Sequence, residues 1–184
     1  MLTLHDIENL FARRGAEQYS GEPVTQLEHA LQSACLAEQE GADDALVTAA
    51  LLHDIGHLLN DQGETPTLRG IDDRHQFHAL PFLRGLFPDR VLDAIAWHVD
   101  AKRYLCATRP DYWAALSDDS KRSLVLQGGV FSDEEATRFM QRPHAQEAVR
   151  LRLWDDTAKQ ADLATPDLPH YLARARRCML APGA

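Results

Sequence analysis

Apolar residues recur three and four positions apart through most of this chain, the spacing that lines one face of an α-helix. Thr3 is placed to N-cap a first helix through Leu10 to Arg14, which Gly15 ends. After the Gly21-Glu22-Pro23 turn, Val24 to Glu40 carries Leu27, Ala30, Leu31, Ala34 and Leu36 on a helical period and stops at Gly41. The same reading predicts helices over Ala45 to Asn60, Asp73 to Leu86, Asp89 to His98, Asp111 to Leu116, Ser117 to Leu126, Asp133 to Gln141, His144 to Ala161 and Asp167 to Leu180. Asp61 to Gly70, rich in polar residues and breakers, reads as a surface loop and a candidate lid. No alternating strand, internal repeat or interdomain linker stands out. The expectation is an all-α bundle forming a single domain over residues 1–184.

One apolar run is interrupted by residues that do not belong in a core. Ala50, Leu51, Leu52, Ile55 and Leu58 surround the pair His53-Asp54, and His57 follows one turn after His53. Neighbouring side chains point about 100° apart on a helix, so the pair cannot form a hydrophobic stripe, yet both can reach a metal beside it. A buried aspartate is costly unless paired or coordinated.

Further candidate ligands sit at apolar segments elsewhere: His29 in Gln26-Leu27-Glu28-His29, His75 in Arg74-His75-Gln76-Phe77-His78, His98 after Ala96-Trp97, and Asp155 after Trp154. Four histidines and two aspartates without a cysteine offer nitrogen and oxygen donors suited to iron, manganese, cobalt or zinc. Six groups exceed what one tetrahedral zinc needs, and two metals bridged by Asp54 would use them all. His78 shares a helical face with His75, so the residues alone leave open which of the two is the ligand, whereas His5, His144 and His170 read as surface residues.

Composition narrows the partners. With 184 residues, 45% hydrophobic and 26% charged, the chain is long enough for one substantial core. The net charge of −9 argues against nucleic acid or an anionic membrane as partner. Cys35, Cys106 and Cys178 are widely separated, which excludes a thiolate metal motif and argues for a reducing cytoplasm. Neither a signal-like N-terminus nor a membrane-length apolar run occurs, so the expected address is the cytoplasm.

The order His29, His53-Asp54, Asp155 resembles the signature of the HD-domain superfamily, an all-helical metalloprotein fold. Tyr19-Ser20-Gly21-Glu22, Gln26-Leu27-Glu28-His29, the run His98 to Leu105, Gln127-Gly128-Gly129 and Trp154 to Gln160 are more narrowly similar to mixed-valent di-iron oxygenases that cleave carbon–phosphorus bonds, with myo-inositol oxygenase more distant. The likeness covers about Tyr19 to Tyr171.

That resemblance implies an HD-domain helical bundle with a metal site in its core. One iron would be held by His29, His53, Asp54 and Asp155 and the other by Asp54, His75 and His98, in an Fe(II)/Fe(III) pair with O2 as co-substrate. It also implies that His57, Lys102, Ser120 and Arg152 bind the phosphonate beside Gln26. Tyr19 would occupy an iron site until substrate, chelating on the His75/His98 side, displaces it, and Glu22 would organise that gate. The implied reaction converts an organophosphonate with a 1-hydroxyl, such as (R)-1-hydroxy-2-(trimethylammonio)ethylphosphonate or 2-amino-1-hydroxyethylphosphonate, to glycine betaine or glycine and phosphate. Glu22, Asp72, Asp73, Tyr112 and Trp113 could meet the cationic end, a set that leans toward the methylated compound. A metal-dependent HD phosphohydrolase acting on a nucleotide or phosphate monoester is the alternative, and a ligand-poor binding module is disfavoured because all six donors are present.

Overall fold

The computed structural model describes residues 2–19, 21–60 and 66–181. Helices account for the regular structure of these residues, and their starts follow from local capping. Thr3 and Asp6 form a capping box at α1 (Leu4–Arg14), Thr25 and Glu28 another at α2 (Gln26–Gln39), and Asp43 accepts from the Leu46 N–H at α3 (Asp44–Leu52). Then come α4 (Ile55–Leu59), a 3-10 turn (Pro66–Arg69), α5 (His75–His78), α6 (Leu80–Leu83) and the long α7 (Asp89–Thr108). The chain continues through α8 (Tyr112–Ala115), α9 (Asp118–Leu126), α10 (Asp133–Met140), α11 (Ala145–Thr157) and α12 (Leu168–Arg177).

α3 is the axis of the bundle. Leu46 through Leu52 are all buried, as expected of a helix that is apolar on every side and therefore surrounded. Helices α2, α7, α11 and α12 pack around it. Its side chains join Ile7, Phe11, Leu83, Phe87, Ile95, Leu151, Trp154 and Tyr171 in the main core. A smaller cluster of Ala101, Phe131, Phe139 and Ala148 packs α7 against α10 and α11.

Three departures from the sequence expectation shape the site. The helix expected over Ala45 to Asn60 breaks: α3 ends at Leu52, Asp54 leaves helical geometry (φ −104°, ψ 7°), and α4 restarts at Ile55. The span Asp73 to Leu86 contains two short turns, because Arg74 adopts a left-handed conformation (φ 51°, ψ 31°) immediately before α5. In contrast, α7 runs well past His98, because Ala101, Lys102 and Leu105 are buried and keep its packed face going. Of the expected lid, residues 61–65 lie outside the described residues, and Pro66–Arg69 forms the 3-10 turn.

Candidate metal centre and anion pocket

Six donors from four helices and one helix break meet in the core. His29 comes from the first turn of α2, His53 and Asp54 from the α3–α4 break, His75 from the start of α5, His98 from α7 and Asp155 from α11; all six are buried. Two groups emerge. His29 Nε2 lies 3.2 Å from His53 Nε2, 3.5 Å from Asp54 Oδ2 and 3.4 Å from Asp155 Oδ1. On the other side, His75 Nε2 lies 3.1 Å from His98 Nε2 and 3.2 Å from Asp54 Oδ1. Asp54 thus turns one oxygen to each group.

Hydrogen bonding shows what these donors are prepared to hold. Each ring Nδ1 faces an acceptor: Ala158 O for His29 (2.8 Å), Ala50 O for His53 (2.9 Å), Ile95 O for His98 (2.7 Å) and Asp73 Oδ1 for His75 (2.8 Å). Each Nδ1 must therefore carry the proton, which leaves Nε2 as a lone pair. Within each group, two such lone pairs point at each other beside a carboxylate, and among the described residues Asp54 Oδ1 and Asp155 Oδ1 have no hydrogen-bond partner. Only cations satisfy that arrangement. Ligand atoms about 2.1 Å from one metal stand roughly 3.0 to 3.4 Å apart, close to the separations seen here. Both groups, His29/His53/Asp54/Asp155 and Asp54/His75/His98, fit a metal ion.

Without metal, protons would take the cations' place. Burial alone would lower His29, but the Asp155 and Asp54 carboxylates raise it to about 9. Burial likewise opposes protonation of His75, and Asp73 with Asp54 raises it to about 10. His98 moves the other way, held well below its usual value by burial and by His53 and His75. Burial also disfavours ionised Asp54 and Asp155, yet His53 and His75 around the first, and Arg152 and His29 around the second, hold both well below the usual carboxylate range.

Beside the donors lies a cavity of about 60 Å³ lined by Tyr19, Gln26, His57, Lys102, Ser120 and Arg152, together with Asp54, His75, His98 and Asp155. Lys102 is 2% exposed and donates to Ser123 Oγ at 2.7 Å; burial and the nearby Arg152 lower it to about 7. Arg152 donates to Asp155 Oδ2 at 2.8 Å, to Asp156 Oδ1 and to Ser120 Oγ at 3.4 Å. Two buried cations and a hydroxyl at one wall form a receptacle for an anion.

Tyr19 stacks on His29 with ring centroids 4.0 Å apart and donates to Asp54 Oδ2 at 2.8 Å. It therefore stands on the His29/His53 side, not on the His75/His98 side expected from sequence. Glu22 is outside the cavity wall and pairs with Lys159 at 3.3 Å, which anchors the Tyr19 turn to the end of α11. His78 is exposed and bonds Asn60 at 3.1 Å.

The residues expected at a cationic end are mostly committed elsewhere. Tyr112 donates to Asp156 and Trp113 is 51% exposed beneath Lys121, whereas Asp73 lines the cavity with its carboxylate bound to two histidines. Asp119 and Thr67, joined at 2.5 Å, line the cavity and carried no sequence signal beyond the polarity of their segments. Gln127 lines it as well.

These buried donors, spread over a helical bundle, define a metalloprotein, and an HD-domain model matches residues 26–158: the chain belongs to the HD-domain family. It is 42% identical to a 1-hydroxy-2-(trimethylamino)ethylphosphonate dioxygenase (glycine-betaine-forming) of Leisingera caerulea, over 93% of this chain and 87% of that protein. With a hydroxymethylphosphonate dioxygenase of Gimesia maris it shares 44% identity, over 89% of this chain and 82% of the other. An uncharacterised protein of Acanthamoeba polyphaga mimivirus is 35% identical across 91% of the chain. No helix among the described residues is long and apolar enough to cross a membrane.

Proposed function

We propose that this chain is a di-iron oxygenase that uses O2 to cleave the carbon–phosphorus bond of a small 1-hydroxyphosphonate, releasing a carboxylate and phosphate. The observation that carries this reading is one cavity in which two metal-fit donor groups adjoin two buried cations. His29, His53, Asp54 and Asp155 would hold one iron, and Asp54, His75 and His98 the other. Bound there, the iron pair supplies the one-electron and dioxygen chemistry that amino-acid side chains lack.

The protein's own groups do the rest. Lys102 and Arg152 neutralise the phosphonate, and a dianion beside Lys102 favours its protonated form. Ser120 adds a hydroxyl donor, and His57 closes the opposite side. The phosphonate then stands against the His75/His98 side while Tyr19 covers the His29/His53 side, so departure of its phenol from Asp54 would open the His29/His53 group. Buried walls keep bulk water from the reacting carbon.

Both relatives with named activities act on hydroxyphosphonates that differ in the group on the carbinol carbon. Since Tyr112 and Trp113 lie off the cavity wall, the aromatic argument for the methylated compound falls away, and we propose the shared hydroxyphosphonate end as the recognised element. Three free cysteines accord with a reducing compartment such as the cytoplasm.

Iron-loaded protein given hydroxymethylphosphonate and 1-hydroxy-2-(trimethylammonio)ethylphosphonate should consume O2 and release phosphate in parallel, and neither should occur anaerobically. About two irons per chain should be bound, and partial oxidation should give the coupled mixed-valent signal in electron paramagnetic resonance. Oxygen-independent hydrolysis of phosphate monoesters with one zinc per chain would replace this reading with a phosphohydrolase.

A further inference from the structure

We infer that Asp73 is a positioning residue whose single carboxylate sets the tautomers of both His75 and His57, coupling the second metal group to the anion pocket. The inference rests on the di-iron reading above and concerns a residue which that reading does not use.

The reason begins with helix geometry. His53 and His98 each send Nδ1–H to a carbonyl three residues earlier, Ala50 and Ile95, a partner that a preceding helical turn provides. His75 opens α5 and has no such turn behind it. Arg74, in the left-handed region, folds the chain back so that Asp73 Oδ1 reaches both the His75 backbone N–H (3.3 Å) and its Nδ1 (2.8 Å). A left-handed non-glycine residue costs of order 1 kcal/mol and persists where surrounding contacts demand it.

The second oxygen does different work. Asp73 Oδ2 lies 3.0 Å from His57 Nδ1, and the two imidazoles stack with centroids 4.1 Å apart. With Nδ1–H committed to Asp73, each ring presents Nε2 toward Asp54 Oδ1, at 3.2 Å for His75 and 4.0 Å for His57. Both rings line the anion cavity, and His75 also faces the metal group. Among the four metal-facing histidines, only His75 is held by a carboxylate, which makes its Nε2 a stronger donor than a backbone carbonyl would.

Asp73→Asn separates the two bonds, because an amide offers one acceptor and one donor where the carboxylate offers two acceptors. Iron release from the loaded holoprotein into a chelator is the decisive readout. We expect one of the two irons to be held about ten- to a hundredfold more weakly, with the other unchanged as an internal control on folding. With iron in excess, KM for hydroxymethylphosphonate should rise through His57. In a His57→Ala background, Asp73→Asn should still loosen one iron but add nothing further to KM.

Two wild-type iron affinities in Asp73→Asn would overturn the inference, as would equal weakening of both. A KM effect confined to substrates with a cationic end would make Asp73 a substrate contact instead. Iron affinity is read without turnover, so a wild-type protein inactive on phosphonates would sink the functional reading while leaving this comparison decisive.

Discussion

Gly56 and His75 are in backbone contact: a Cβ built on Gly56 would stand 2.0 Å from the His75 carbonyl oxygen and 2.7 Å from its carbonyl carbon. The glycine between Asp54 and His57 is what lets α4 lie directly on the start of α5. Gly56→Ala must push α5 away, and with it His75. Overpacking of this kind costs about 1 to 3 kcal/mol, so we expect a lower melting temperature together with selective weakening of the iron bound by His75 and His98. Unaltered iron release from both sites would show that α5 moves without carrying its histidine.

How much of this was legible in the sequence depends on whether the constraint was local. His53 and Asp54 were visible because charged residues interrupt an apolar run. The helix break between them was not, since no glycine or proline stands at either position and Asp54 is turned by its tertiary surroundings. The continuation of α7 past His98 was masked because Lys102, buried at 2% exposure, counts as polar in any periodicity reading. α11 was expected to reach Ala161 but ends at Thr157, where Ala158 turns its carbonyl toward His29, 129 positions away in sequence. The grip of Asp73 on His57 and His75 depends on the left-handed turn at Arg74, for which arginine gives no compositional cue.

The anion wall predicts two different mutant phenotypes. Among the described residues Lys102 bonds Ser123 and no carboxylate, so Lys102→Ala should leave iron near two per chain and raise KM for the phosphonate. A lost charge-assisted bond is worth about 1.5 to 3 kcal/mol, roughly ten- to a hundredfold. Arg152 is instead paired with Asp155 and Asp156 inside the core. Arg152→Ala strands the buried carboxylate of Asp155, a candidate ligand, and the half-buried one of Asp156, and is expected to lower stability and iron content as well as binding. Equilibrium binding, iron analysis and thermal melts on both variants would separate the two. Identical phenotypes would contradict the geometry.

Tyr19 offers a spectroscopic test of the proposed gate. Burial, followed by the Asp54 and Asp155 carboxylates, keeps its phenol well above the usual tyrosine range, so in the absence of metal it is a neutral donor to Asp54. Iron held by the two groups, as proposed, would reverse the electrostatics around it. The resting iron-loaded protein should show a tyrosinate-to-iron(III) charge-transfer band that Tyr19→Phe abolishes without loss of iron, and that a hydroxyphosphonate suppresses. Phosphonates lacking the 1-hydroxyl should suppress it less. If Tyr19→Phe matches wild type in absorption, in oxidation of the resting centre and in turnover, the tyrosine is only a cover for His29.

Away from the site, Asp44 predicts an acid limit on the bundle. At the start of α3 its carboxylate accepts from Arg177 Nε (2.6 Å) and Nη2 (2.9 Å) and from Arg174 Nε (2.6 Å), tying the central helix to α12. Hydrogen bonds from Arg177 lead the causes that lower its pKa from 3.8 to about 2. A carboxylate whose pKa is lower in the folded than in the unfolded chain stabilises the fold above its unfolded pKa, and that contribution disappears as pH falls through the folded value. Asp44→Asn should therefore cost on the order of 1 kcal/mol near neutral pH, with salt reducing the difference because the network is partly exposed. Between about pH 4 and about pH 2 the two proteins should converge. Paired urea melts across this range measure the difference directly and cancel the acid loss of metal common to both proteins. A gap that stays constant down to the lowest pH would assign the stabilisation to hydrogen-bond geometry that the amide side chain cannot reproduce, rather than to ionisation of Asp44.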